Sequence, residues 1–292
     1  MKLRSWLFVP ADSERKLAKG LNCPADVLIL DLEDAVAASR KVGARSTAAE
    51  FIGANAASLA ARQTRIFVRI NPLDTDLAMG DLATVVVPGL AGIMLPKTNS
   101  AADVQRLGHC LDALEACAGI VAGSVLILPV ATETAQAMLN MQSFSAPIPR
   151  LAGVTWGAED LSAAIGAVAN RDEDGQYSPL YTLAGSLCLC AAAATGVPAI
   201  ETIHTDFRDS AGLAATSRTS RRRGFRGRMA IHPDQVAVIN DAYSPSSAEL
   251  AHAQAIVDAF AANPDAGTLN LDGAMIDKPH LTQALRTLGQ GR

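Results

Sequence analysis

Eight short, nearly continuous apolar runs alternate with longer segments of helical period along this chain. That alternation limits the possible folds more than any other feature of the sequence. The runs are Ser5–Pro10, Val27–Glu33, Ile66–Ile70, Gly92–Pro96, Val125–Val130, Ala152–Gly157, Ala199–His204 and Arg228–His232. Unbroken hydrophobicity marks parallel strands covered on both faces. Ser13–Leu21, Arg40–Arg62, Thr75–Val87, Ala101–Ala118, Thr132–Gln142, Leu180–Thr195, Ala211–Arg223 and Gln235–Tyr243 read as helices, although Val85–Pro88 also looks strand-like. Asn170–Pro179 is polar and turn-rich and reads as a loop. Eight β→α steps in order predict an α/β fold, a closed (β/α)8 TIM barrel instead of an open doubly wound sheet. The barrel is expected over residues 1–245. Residues 246–292 are expected to form a C-terminal helical extension or lid, one more helix and then a tail, Leu271–Arg292, for which the barrel has no use. No Gly-x-Gly-x-x-Gly follows the first strand and no Walker loop is present, which disfavours the nucleotide-binding alternatives.

Composition narrows the class further. Hydrophobic residues make up 49% of the 292 and charged residues 18%, enough for a large core and too apolar for disorder. Lys and Arg number 25 against 29 Asp and Glu, a net charge of −4, which disfavours a nucleic-acid partner. No stretch approaches about 18 uninterrupted apolar residues, so no membrane span is expected. The apolar run before Pro10 is too short for a signal peptide. Cys23, Cys110, Cys117, Cys188 and Cys190 contain no Cys-x-x-Cys pair, and read as reduced core thiols of a cytoplasmic protein.

Polar residues collect where the strands end. Strand two ends in Asp31-Leu32-Glu33-Asp34, strand three in Arg69-Ile70-Asn71 and strand four in Pro96-Lys97. Glu133 follows strand five, Glu159-Asp160 strand six, His204 and Asp206 strand seven, and His232 strand eight. In a barrel these ends share one rim, where such barrels do their chemistry. Glu133 and Asp160 supply two negative charges suited to one Mg²⁺, which takes oxygen ligands and keeps positions open for water and substrate. Both also sit where a helix begins, so helix capping is the competing role. Arg69 could hold a carboxylate or a developing oxyanion, or pair with the Asp31/Glu33/Asp34 cluster on the next strand. Lys97 has the same two readings. His204 and His232 could be acid–base groups, though strand-end histidines more often serve as structural hydrogen-bonders. The six arginines from Arg218 to Arg228 read first as a solvated helix face and second as a phosphate contact.

Taken in order, the motifs resemble the citrate lyase β-subunit-like branch of the malyl-CoA lyase and HpcH/HpaI aldolase superfamily. They are Leu7-Phe8-Val9-Pro10, Leu30-Asp31-Leu32-Glu33-Asp34-Ala35-Val36, Val68-Arg69-Ile70-Asn71-Pro72, Met94-Leu95-Pro96-Lys97, Glu133-Thr134-Ala135, Trp156-Gly157-Ala158-Glu159-Asp160-Leu161, Ile231-His232-Pro233-Asp234-Gln235 and Gly273-Ala274-Met275-Ile276-Asp277. The resemblance implies a Mg²⁺-dependent carbon–carbon lyase that cleaves a 3-hydroxyacyl-CoA, of citramalyl, malyl or citryl type, to acetyl-CoA and a 2-oxo acid. It implies Glu133 and Asp160 as Mg²⁺ ligands, with Arg69, Glu133, Gly157 and Ala158 binding substrate and Arg69 stabilising the thioester enolate. Asp277 is implied as the general acid/base, donated by a neighbouring subunit of a homo-oligomer, a trimer or hexamer. Coenzyme A would touch Phe8, Arg15, Lys19, Asp34, Lys41, Arg45, Ile231 and His232. Competing expectations are a β subunit working on an acyl carrier protein, a CoA-independent class II aldolase, and a silent metabolite- or RNA-binding protein. The sequence departs from the commoner pattern at Ala11 and at Arg226-Gly227-Arg228, both near the expected carrier groove.

Overall fold

The structure, a computed structural model, describes residues 3–289; Met1, Lys2 and the last three residues of the expected tail lie outside them. Two compact units divide the chain, Met1–Tyr243 and Ser244–Arg292. The strands of the first are β1 (Ser5–Pro10), β2 (Val27–Asp31), β3 (Arg65–Arg69), β4 (Gly92–Leu95), β5 (Leu126–Pro129), β6 (Val154–Thr155), β7 (Ala199–Glu201) and β8 (Gly227–Ala230). Its helices are α1 (Glu14–Leu21), α2 (Lys41–Ala61), α3 (Ala78–Val85), α4 (Ala101–Ala118), α5 (Ala135–Leu139), α6 (Ala158–Ile165), α7 (Pro179–Thr195), α8 (Ser210–Arg223) and α9 (Pro233–Ala242). The strands pair in the order β5-β4-β3-β2-β1-β8-β7-β6. Parallel bridges Ile127↔Leu151 and Val130↔Thr155 join the two ends of that order. Eight parallel strands ringed by helices therefore make a (β/α)8 barrel.

Alternate residues of each strand face opposite ways, and this sets what reaches the rim. Trp6, Val27, Ile29, Phe67, Met94, Leu128, Val130, Ile200 and Met229 pack together inside the barrel. Leu7, Val9, Leu28, Leu30, Ile66, Val68, Ile93 and Leu95 pack instead with the helices. Two residues beyond Ile29 and Phe67, on the inward parity, stand Asp31 and Arg69, which are register partners. Close packing fixes Gly227: an added Cβ would stand 2.0 Å from the Leu3 carbonyl oxygen.

Several elements differ from the sequence reading. Strand two stops at Asp31, whose Oδ1 accepts from the Glu33 amide at 2.9 Å and turns the chain out of the sheet. The fifth helix is short, because Thr134 caps it and a 3-10 turn, Met141–Phe144, follows. Helix α6, given a start near Asp160 but no bounds in the sequence reading, begins almost directly after the two-residue β6. Val85 ends a helix and is not in a strand. Of the thiols expected in the core, Cys117 and Cys190 are exposed, on the outward faces of α4 and α7. The arginine run is not one solvated face either. Arg228 is buried and donates to the Thr202 carbonyl at 3.1 Å and to Thr216 and Ser217 hydroxyls at 2.9 Å.

The second unit is not wholly helical. Helix α10 (Ser247–Ala262) leads into strands β9 (Thr268–Leu271) and β10 (Ala274–Asp277) and helix α11 (Lys278–Thr287). The antiparallel pair turns through Asp272 and Gly273, at φ 51° and 84°, the left-handed conformations that a two-residue Asp-Gly hairpin needs. Ala253, Ile256, Phe260, Ile276 and Ala284 form its own small core.

Candidate active site

The rim of the barrel unit gathers most of the residues singled out from sequence. A cavity of about 240 Å³ opens there, lined by Phe8, Asp31, Arg69, Glu133, Gly157, Ala158, Asp160 and Ile231 among others. Arg69 uses its fork of donors as the sequence allowed. Nε and Nη2 donate to the two Asp31 oxygens at 2.8 and 2.6 Å, while Nη1 lies 2.9 Å from Glu33 Oε2. Its guanidinium also lies over the Phe8 ring, 4.8 Å from the centroid. Burial opposes the charge on Arg69, but Asp31 and Glu33 more than offset it and hold the group charged.

Lys97 is the second cation. Its backbone is left-handed, φ 48°, a conformation uncommon outside glycine. That turn aims its amide at Glu133 Oε2, 2.6 Å away, and its ammonium at Glu33 Oε1 and at Asp160 Oδ1 3.2 Å away. Asp34 is exposed and approaches the same ammonium at 3.4 Å. Burial likewise works against the Lys97 charge, and Glu33 and Asp160 outweigh it.

Neither carboxylate of the expected metal pair caps a helix. Thr134 caps α5, and Gly157 is the N-cap of α6, with Asp160 in the first turn. Glu133 is 5% exposed, and burial, reinforced by the neighbouring Asp160, pushes its carboxyl up to about 8. Five carboxylates, Asp31, Glu33, Asp34, Glu133 and Asp160, face two cations, an excess of negative charge that favours a divalent ion. Gly157 leaves room beside the pair. An added Cβ would stand 2.8 Å from Glu133 Cγ and 2.9 Å from Oε1. The donors are all oxygen, so the residues fit a hard cation. Among the described residues no cluster of three or more His, Cys, Asp or Glu side chains is arranged to hold a metal. An ion here would therefore rest on two carboxylates and complete its shell with water and substrate oxygens, as Mg²⁺ does.

The other expected contacts scatter. Arg15 and Lys19 stand exposed on α1. Lys41 has its three donors committed, to the Leu32 and Glu33 carbonyls at 3.1 and 2.8 Å and to Asn71 Oδ1 at 2.5 Å. Arg45 is likewise spoken for by buried Asp81, 3.0 Å away. These two clamp loops, and their heads are not offered to a phosphate. His232 caps α9, its Nδ1 accepting from the Asp234 amide at 3.3 Å, and stacks on Phe207 with centroids 4.8 Å apart. His204 is lowered by burial and by Arg228, and its buried Nε2 has no aligned hydrogen bond. Asp277 belongs to the second unit, where it caps α11 and its Oδ1 meets His280 Nδ1 at 2.5 Å. The sequence reading missed the cavity floor, Met94, Val130 and Met229, although each is an inward residue at or next to a strand's end. Reading inward parity out to each strand end would have found them.

Known proteins resemble this chain along nearly its whole length. Residues 4–233 match the family HpcH/HpaI aldolase/citrate lyase. A (3S)-malyl-CoA thioesterase of Cereibacter sphaeroides is 34% identical over 98% of this chain and 94% of its own. A citrate lyase subunit beta-like protein of Mycobacterium tuberculosis is also 34% identical, covering 98% and 95%. The crystal structure of protein CitE from M. tuberculosis, in complex with magnesium, acetoacetate and coenzyme A, superposes with a TM-score of 0.77 at 34% identity, over 98% of this chain and 97% of that one. The chain belongs to the HpcH/HpaI aldolase/citrate lyase family and is an enzyme of the citrate lyase/aldolase type.

Proposed function

We propose that the chain is a Mg²⁺-dependent carbon–carbon lyase that cleaves a 3-hydroxyacyl-CoA to acetyl-CoA and a 2-oxo acid. The observation that carries this reading is Glu133, a buried carboxyl facing a second carboxylate across a rim cavity, with a glycine leaving space beside it. The magnesium, acetoacetate and coenzyme A named for the solved M. tuberculosis relative support it.

Glu133 and Asp160 would hold the cation, which when bound supplies Lewis-acid polarisation of the 2-oxo acid carbonyl. The Ala158 backbone N–H, where α6 begins without a side-chain cap, receives the carboxylate of that half, beside Gly157, whose own N–H donates to Thr132 Oγ1 at 3.3 Å. Arg69, fixed by Asp31 and Glu33, keeps its remaining donors for the thioester oxygen as the enolate develops. Lys97 holds Glu33 and Asp160 in place. Asp277 takes the proton of the 3-hydroxyl as the carbon–carbon bond breaks and returns it to the enolate carbon. It acts from a neighbouring subunit of a homotrimer or hexamer, and its hydrogen bond from His280, which lowers its pKa, keeps it ionised before it takes that proton. Phe8, Arg15, Lys19, Ile231 and His232 remain the contacts for coenzyme A, with the two exposed cations of α1 facing its phosphates.

The thioesterase name of the C. sphaeroides relative favours one second reading, hydrolysis of the thioester itself. A chromatographic assay with citramalyl-, malyl- and citryl-CoA, with Mg²⁺ and with EDTA, separates the two by product. The lyase releases acetyl-CoA, and Asp277→Ala abolishes that release. Free coenzyme A without acetyl-CoA establishes the thioesterase. No product from any ester, in folded protein that binds Mg²⁺, overturns both and leaves an acyl carrier protein substrate.

A further inference from the structure

We propose that the 2-oxo acid half of the substrate bears a methyl group, and neither hydrogen alone nor a second carboxylate; this rests on the lyase reading above. The polar side of the cavity is filled by Glu133, Asp160 and the start of α6. Its floor is Met94, Val130 and Met229, which are 3%, 2% and 2% exposed and continuous with the packed interior of the barrel. Ile203 adds an apolar wall.

Charge decides against a dicarboxylate. Among the described side chains lining the cavity, Arg69 is the one cation; Asp31 holds its Nε and Nη2, Glu33 faces its Nη1, and its remaining donors are those the lyase reading gives to the thioester oxygen. The Lys97 ammonium is shared by Glu33, Asp34 and Asp160. Arg228 is committed to Thr202, Thr216 and Ser217. A second carboxylate would thus lose its water above methionine and valine, beside further carboxylates and with no cation free to meet it. Size decides against hydrogen. A methyl covers the floor that glyoxylate would leave bare, a gain of about tenfold or more for one carbon in an apolar pocket.

The test is calorimetric titration of the full-length protein, in excess MgCl₂ and again in EDTA, with pyruvate, glyoxylate and oxaloacetate. Pyruvate is expected to bind about tenfold tighter than glyoxylate and on the order of 100-fold tighter than oxaloacetate, with Mg²⁺ required for each. Oxaloacetate or glyoxylate binding as tightly as pyruvate overturns the inference and leaves the lyase standing. Failure of all three to bind with Mg²⁺ present overturns the lyase reading itself and the inference with it. Met229→Lys should narrow the preference for pyruvate over oxaloacetate at least about tenfold by placing a cation at the floor. Should that chain not fold, Val130→Ala, a milder change that deepens the floor, should shift preference from pyruvate toward 2-oxobutyrate. An unchanged preference in a folded variant overturns the assignment of the floor.

Discussion

Glu115 and Glu133 lie in the same barrel unit and are almost equally hidden, 0% and 5% exposed, yet their carboxyls move in opposite directions. Glu115 is lowered to about 2: Arg150 grips both oxygens, at 2.8 and 2.7 Å, and the amides of Val125 and Gly123 donate at 2.7 and 2.8 Å. Glu133 is pushed up to about 8, because burial and Asp160 both oppose its charge and outweigh the Lys97 amide and the more distant Arg69. Burial is common to both, so the partners decide. A carboxylate whose needs are met inside the chain is structural; one left facing another carboxylate at a cavity wants a cation the chain does not contain. The contrast separates a residue that holds this barrel together from one proposed to serve its chemistry.

The largest expected effect is at Glu133. Glu133→Gln should cost on the order of 10²–10³-fold in Mg²⁺-dependent turnover, while its melting temperature without the ion equals or exceeds that of the native chain. Saturating Mg²⁺ should stabilise the native protein by about 3 kcal/mol at a hundredfold excess over Kd and leave Glu133→Gln unmoved. Arg150→Ala should do the reverse. Stranding buried Glu115 should cost about 3–5 kcal/mol of stability in denaturant unfolding, with kcat/KM close to native. If Glu133→Gln destabilises as strongly as Arg150→Ala, the two glutamates are alike and the contrast fails.

Both fold and site were legible where a residue's meaning is carried by strand parity. Asp31 and Arg69 could be placed at the rim because the apolar runs before them are unbroken, and the barrel follows from counting those runs. What could not be read depends on backbone turns that composition does not encode. Lys97 joins the acidic cluster only because its own φ is positive. The extent of helix α6, Ala158–Ile165, could not be read, because only its acidic start stands out and β6 before it is only two residues long. Lys41 and Arg45, cations in the right stretch for a phosphate, are claimed by carbonyls, Asn71 and Asp81, partners that only tertiary structure supplies.

Acid should sharpen the comparison from the structural side. The Glu115 carboxyl titrates lower in the folded chain than the ordinary value near 4.3, so folding binds fewer protons than the unfolded state there. Its stabilisation, about 3 kcal/mol, is full above about pH 4.5 and is lost as pH falls toward 2. Urea midpoints measured across that range should fall more steeply for the native chain than for Glu115→Gln. Equal slopes would show that the Arg150 pair contributes no proton-linked stability.

The smallest change addresses the proposed metal site, at Gly157. Its φ of −128° suits any residue, so alanine brings no backbone strain, and losing glycine at an N-cap costs about 1 kcal/mol. The new Cβ, however, would stand 2.8 Å from Glu133 Cγ, and it is the carboxylate arm that has to give way. Displacing a ligand by a few tenths of an ångström spares the fold and spoils the distance to the ion. Gly157→Ala should therefore bind Mg²⁺ about 10–100-fold more weakly, read as the concentration of Mg²⁺ that half-saturates the rise in melting temperature. An unaltered half-saturation would separate the glycine from the metal and return Gly157 to the role of an ordinary helix start.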